Sequence, residues 1–260
     1  MNPTSLTTGS TSPLITVITV CYNASATIGR TASSVLEQDF TDFEHLVIDG
    51  ASRDDTLSKA RRYGVKEMRI ISEPDGGLYD AMNKGLDAAR GKYVIFLNAG
   101  DKFHSPQTLS QYASAVSGEV DIVYGDTVLV DDFGTYLGPR HHSAPERLDA
   151  DSFKQGMLVC HQAFMVRREL APRYDLKYRF SADYDWCIKC LRKTAPERTV
   201  RLGVTIDYLT EGLTDRNHLA SLKERFRVMA DHYGTATAVA RHIGFVPRLL
   251  WRKITGRNTH

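Results

Sequence analysis

The stretch Tyr93-Val94-Ile95-Phe96-Leu97-Asn98-Ala99-Gly100-Asp101 decides the fold. Its first five residues form an unbroken run rich in β-branched and aromatic side chains, too short for a helix. Such a run suits a strand buried on both faces, as in a parallel sheet. Upstream, Leu14–Val20, His45–Ile48 and Met68–Ile71 are short runs of the same kind. Between them, Ser25–Glu37 spaces Ile28, Ala32, Val35 and Leu36 at helical intervals, and Asp54 or Asp55 caps a helix reaching about Tyr63. Leu78–Ala89 sets Leu78, Ala81, Met82 and Leu86 on one helical face and stops near Gly91. Strand and helix alternate four times before Asp101, which predicts an α/β fold with a mostly parallel sheet flanked by helices.

Beyond Asp101 the rhythm changes. Val120–Tyr124 is a predicted strand, and Thr127–Val130 and Thr135–Leu137 flank Asp131–Gly134 as a hairpin. Gly138–Ala150 has loop composition; Ala163–Val166, Ala182–Lys193 and Thr199–Ile206 read as strand, helix and strand. The expected organisation is a disordered tail over 1–13, one domain over 14–214 and a basic helical extension over 215–260.

The 260 residues carry 33 basic and 31 acidic side chains, a net charge of +2, so no overall field recruits nucleic acid. Cys21, Cys160, Cys187 and Cys190 are too scattered for a disulfide framework, and no second pair joins Cys187 and Cys190 into a zinc site. Residues 1–13 lack the basic start and apolar core of a signal peptide, and no apolar run is long enough to span a bilayer. The expectation is a cytoplasmic protein with reduced cysteines.

Open parallel sheets bind ligands beyond the carboxyl ends of their strands. The residues there are Cys21-Tyr22-Asn23, Asp49-Gly50-Ala51-Ser52, Glu73-Pro74-Asp75-Gly76-Gly77 and Asn98-Ala99-Gly100-Asp101. Three successive strands are thus followed by carboxylates. The glycine fingerprints of dinucleotide and P-loop sites are missing. An acidic rim that holds a diphosphate needs a divalent cation between the two sets of negative charge, and oxygen ligands suit Mg²⁺ or Mn²⁺.

Four segments carry a resemblance: Thr16-Val17-Ile18-Thr19-Val20-Cys21-Tyr22-Asn23, Leu46 through Thr56, Phe96 through Asp101, and Ser181-Ala182-Asp183-Tyr184-Asp185-Trp186. On these the chain resembles the family-2 glycosyltransferases of the GT-A fold, a Rossmann-like nucleotide-diphospho-sugar transferase architecture. Asp75 through Gly85 resembles the exopolysaccharide branch, colanic-acid-type enzymes included. The resemblance implies inverting, metal-dependent transfer of a sugar from a nucleotide diphosphate, a UDP-sugar, to a hydroxyl of a saccharide acceptor. Asp183 corresponds to the general base, and Asp101 to the ligand of Mn²⁺ or Mg²⁺. Tyr22 would lie against the nucleotide base beside Thr19, with Asp49 accepting a base N–H. Asn23, Asp75, Gly76, Asn83, Lys84 and Asn98 fall on the donor side, and His161, Gln162 and Asp185 on the acceptor side. Asn98 and Gly100 stand where the family usually has aspartates, and Ala182 where it has a glutamate. Helical spacing also turns Asp185 away from Asp183.

Residues 241–260 hold Arg241, Arg248, Arg252, Lys253 and Arg257 and no acid. A helix there opposes Arg241, Arg248 and Arg252 to Ile243, Val246, Leu250 and Ile254, with Pro247 as a break. Such a segment suits either the anionic inner leaflet of a membrane, with a lipid-linked saccharide acceptor, or packing against the domain. A homo-oligomer is left open. Two other classes share part of the pattern. A nucleotidyltransferase wants a glycine-rich, basic loop after the first strand, where Cys21-Tyr22-Asn23-Ala24 stands. A non-catalytic nucleotide-sugar-binding module is compatible with the thinned acidic motifs.

Overall fold

The computed structural model describes residues 12–210 and 218–243. The first half alternates strand and helix as expected: β1 (Ile15–Cys21), α1 (Ile28–Leu36), β2 (Phe43–Asp49), α2 (Thr56–Arg62), β3 (Met68–Ser72), α3 (Leu78–Ala88) and β4 (Tyr93–Phe96). The second half holds β5 (Lys102–Phe103), α4 (Thr108–Ala115), β6 (Ile122–Val130), β7 (Tyr136–Pro139), β8 (Phe164–Arg167), α5 (Ala182–Leu191), β9 (Thr199–Leu209) and α6 (His218–Tyr233). Short 3₁₀ turns at Ala150–Gln155 and His161–Ala163 punctuate the segment between β7 and β8. The two strands expected at 120–124 and 127–130 are one strand, β6, whose register on β9 shifts around Asp126.

The strand order is β3-β2-β1-β4-β8-β6-β9-β5, with β7 on β6. Parallel pairing is confined to β3-β2-β1-β4 and to β6 with β9. β8 runs antiparallel to both β4 and β6, β5 runs antiparallel to β9, and β7 runs antiparallel to β6. Every residue of β1, β2 and β4 is buried, as their near-continuous apolar runs require. Alternation along β4 sends Val94 and Phe96 into a core with Met82 of α3 and Trp186 of α5. Tyr93 and Ile95 point into the opposite core, with Val35 of α1 and Leu109 and Tyr112 of α4.

Burial of polar side chains in these strands is matched by pairing. Thr16 Oγ1 donates to Glu44 Oε1 at 2.7 Å. Thr19 Oγ1 meets His45 Nε2 at 3.0 Å, and both residues are fully buried. Burial drives the His45 pKa down to about 4, so that ring is neutral at physiological pH. Thr19, expected beside a nucleotide base, is therefore bonded inside the sheet. The four cysteines are free thiols, all buried.

α6, which begins the extension expected beyond 214, packs into the domain. Val228 and Met229 join the core of Trp186. Glu224 accepts the backbone N–H groups of Arg179, Phe180 and Ser181 just ahead of α5. A second helical stretch covers 235–243. Most of the tail expected over 1–13 and most of the basic segment over 241–260 lie outside the described residues. No described helix is long and apolar enough to cross a membrane.

Candidate active site

A cleft of about 1000 Å³ opens at the carboxyl ends of β1, β3 and β4 and runs to the start of α5. Side chains of neighbouring loops close over Gly50 there. A Cβ on Gly50 would come within 2.5 Å of Asp75 Oδ2 and 3.2 Å of the Tyr22 ring, so the absent side chain leaves room for both. Tyr22 presents its ring to the cleft and is 62% exposed, an open flat surface at the strand edge. Asp75 also lines the cleft, and its Oδ1 accepts the N–H of Gly77 at 2.8 Å. Gly77 has φ of 119°, which an L side chain rarely adopts, and this turn starts α3.

The loop after β4 supplies Asn98 and Asp101 to the same cleft. Asp101 is 5% exposed; its Oδ2 accepts from Gln162 Nε2 at 2.8 Å and its Oδ1 from the Leu209 N–H at 3.0 Å. Burial pushes its pKa up to about 6, against those two hydrogen bonds. Asn98 Oδ1 is buried and has no partner among the described residues. Both residues line the cleft, and a desolvated carboxylate and an unpaired amide oxygen are hard oxygen donors of the kind that Mn²⁺ or Mg²⁺ takes. Among the described residues no cluster of three or more His, Cys, Asp or Glu side chains is assembled. A cation there would take its remaining ligands from phosphate oxygens and water.

At the far end, Asp183 opens the first turn of α5. Its Oδ1 accepts from Tyr79 Oη at 3.1 Å and from the Tyr184 N–H at 2.9 Å; His161 Nδ1 lies 3.4 Å from Oδ2. Burial would raise its pKa, but the contact with His161, the charges of His161 and Arg225, and the Tyr184 N–H together pull it below the usual carboxylate value. Asp183 is held as an anion. His161 Nε2 faces Asn98 Nδ2 at 3.4 Å, so a line of side chains connects the β4 loop to this carboxylate. His161→Gln removes the strongest lowering influence, so the Asp183 pKa should rise. If this carboxylate is the base it must be deprotonated, and the acid limb of kcat/KM should then move to higher pH. A pH–rate profile reads this; an unmoved limb uncouples the two residues.

Several other expected site residues are not among the side chains that line the cleft. Asp49 is fully buried; its Oδ2 accepts from the Ser52 N–H at 3.0 Å and Ser72 Oγ at 2.7 Å. Those bonds fasten the loop after β2 to β3 and hold its pKa down against burial. Asn23 likewise ties loops together: its N–H donates to Ser52 Oγ and its Oδ1 accepts from the Arg53 N–H. The Gly76 N–H is taken by Asp80 Oδ2 at 2.9 Å. Lys84 Nζ donates to Pro74 O at 2.7 Å and pairs with Glu73 at 2.9 Å. Asp185 turns to the other side of α5, 2.7 Å from both His232 Nε2 and Lys189 Nζ, where it braces α5 on α6 instead of meeting an acceptor.

Asn83 is 1% exposed and clamps Tyr174 by both backbone groups, Nδ2 to O at 3.0 Å and N to Oδ1 at 2.7 Å. Tyr174 in turn stacks between Tyr79 and Trp186, with centroids 5.5 and 5.0 Å away. Asn83→Ala leaves a buried N–H and C=O unpaired and should cost about 2–4 kcal/mol of stability, read by denaturant unfolding. The cleft also receives residues that the motif reading did not assign. Tyr79 falls within a quoted motif, but its bond to Asp183 spans 104 residues; Arg140, Asp132 and Arg225 carry no local signal.

The fold and this cleft define the GT-A class of glycosyltransferases, a mixed sheet flanked by helices with a site at its strand ends. Residues 16–174 match the family model described as glycosyl transferase family 2, and the chain belongs to that family. It is similar to a PGL/p-HBAD biosynthesis glycosyltransferase of Mycobacterium bovis, 32% identical over 191 residues, covering 70% of this chain and 72% of the relative. Among solved structures, Staphylococcus aureus TarS 1-349 in complex with UDP superposes with a TM-score of 0.65 at 18% identity, over 90% of this chain and 72% of the TarS 1-349 chain. The mannosyltransferase PcManGT of Pyrobaculum calidifontis, in complex with GDP-Man and Mn²⁺, gives 0.56 at 16%, over 92% and 76%.

Proposed function

We propose that this glycosyltransferase moves a sugar from a UDP-sugar to a hydroxyl of a saccharide acceptor with inversion, Asp183 acting as general base. The observation that carries the reading is the anionic Asp183 carboxylate facing the same cleft as Tyr22, Asp75 and Asp101. Tyr22 offers an apolar face to the nucleotide base. Asp75 sits where the donor's sugar and diphosphate would pass. Asp101, with Asn98 Oδ1, would hold Mn²⁺ or Mg²⁺, and a bound cation supplies charge neutralisation on a departing diphosphate. Asp183 takes the acceptor hydroxyl proton on one of its oxygens as the hydroxyl attacks. Tyr79, the Tyr184 N–H and His161 keep that carboxylate aimed and charged. A free carboxylate is a weak base, so the proton moves in concert with bond formation.

The acceptor is proposed to be lipid-linked and used in exopolysaccharide assembly, with the basic segment 241–260 resting on the inner leaflet. Truncation after residue 243 should then abolish binding to anionic vesicles while sparing donor hydrolysis. The test of the reaction itself is direct. UDP with Mn²⁺ should raise the melting temperature, and a radiolabelled UDP-sugar should be turned over. Binding without turnover favours the non-catalytic module; no binding of any nucleoside diphosphate refutes the proposal.

A further inference from the structure

We infer that the acceptor carries an anionic group, a phosphate or a carboxylate, received by Arg225 and Arg140 on the Asp183 side of the cleft. The inference rests on the transferase reading above and narrows its acceptor class. Both arginines line the cleft. Arg140 is anchored to the segment that leads into His161: its Nη1 donates to Leu158 O at 3.3 Å and its Nη2 to Met157 O at 3.0 Å. Its charge is felt at Cys160 and Cys187, the neighbours of His161 and of the α5 turn that follows Asp183. Arg225 reaches in from α6, and its charge is felt at Asp183 and Tyr184. Neither arginine forms an ion pair with an acidic side chain among the described residues.

Position decides which substrate these cations serve. In an inverting displacement the incoming hydroxyl and the leaving diphosphate occupy opposite faces of the reacting carbon. Arg225, whose charge falls on Asp183, therefore meets the incoming molecule, and Arg140 lines the same cleft. Chemistry agrees. A guanidinium beside a general base draws the base's affinity for protons down, which works against catalysis. An anion paired with Arg225 cancels that effect when the acceptor arrives, so the base strengthens only in the productive complex. A neutral saccharide would instead leave a half-buried guanidinium desolvated and unpaired, at a cost. The planar fork of arginine matches phosphate and carboxylate oxygens two at a time.

The full chain, saturated with UDP and Mn²⁺, is titrated calorimetrically with glucose, glucose 1-phosphate and glucuronate. One or both anionic sugars should bind about tenfold tighter than glucose, the low end for a charge-assisted pair. The arm that does so identifies phosphate or carboxylate as the group. Arg225→Gln and Arg140→Gln should lose this preference, and Arg225→Lys should retain part of it. Equal binding of all three sugars, with UDP still bound, overturns this inference alone. The same is true if Arg225→Gln weakens UDP instead, which assigns the cations to the donor diphosphate. Failure of UDP to bind overturns the transferase reading and this inference with it.

Discussion

Asp183→Asn is expected to cut turnover by about 10²–10⁴-fold, the usual contribution of a positioned base, while UDP binds as in the wild type. The substitution keeps the shape of the side chain and an oxygen to accept from Tyr79 and the Tyr184 N–H. What it removes is the capacity to take a proton. The residues proposed for the donor, Tyr22, Asp75 and Asp101, come from other loops and should be undisturbed. Calorimetric titration with UDP alongside a sugar-transfer assay separates the two effects. Wild-type turnover in Asp183→Asn would take this carboxylate out of the mechanism and leave the cleft without a base aimed at the acceptor.

Asp101→Asn should be nearly as damaging, for a different reason. It removes the buried negative charge in the donor set proposed for Mn²⁺ or Mg²⁺. Losing several kcal/mol of charge stabilisation on a leaving diphosphate corresponds to a drop of about 10²–10³-fold. Activity measured against Mn²⁺ concentration should show the wild type stimulated and the variant flat. A second readout needs no substrate. Burial raises the folded pKa of Asp101 from the ordinary 3.8 to about 6, so the folded protein binds the extra proton more readily than the unfolded chain. Stability from this group is greatest at low pH and is lost as pH rises from about 4 through 6, by on the order of 3 kcal/mol. Asp101→Asn should flatten the stability profile in that window. An unchanged profile would mean that the carboxyl is not strained by burial, and would weaken the case for a cation relieving it.

The parts of this molecule legible in the chain are those with short-range causes. Runs such as Tyr93–Leu97 are apolar because both faces of their strand are covered, and the residues just past each run must emerge at the sheet's carboxyl edge. Tyr22, Asp75, Asn98 and Asp101 reach the cleft by that rule. The first turn of a helix that begins at Ala182 brings Asp183 to the same rim. Sequence position could not say where other polar side chains would spend their hydrogen bonds. Thr19, Asn83 and Asp49 occupy motif positions, yet each is satisfied internally: Thr19 by a histidine 26 residues away, Asn83 by a backbone 91 residues away, Asp49 by a serine 23 residues away.

Strand pairing in the second half escaped the sequence for the same reason. The apolar period of β6 shows which face is buried but carries nothing about its neighbours, so its antiparallel pairing with β8 and parallel pairing with β9 emerge only in three dimensions. The sequence by itself determined the α/β order, the carboxyl-edge site and the identities of its acidic residues, because periodicity and strand ends are local properties. Tertiary structure alone decided that Tyr79 and Arg225 meet Asp183, that Arg140 enters the same cleft and that Asp185 finds His232 of α6 as its partner, because contacts between distant segments depend on how whole elements pack.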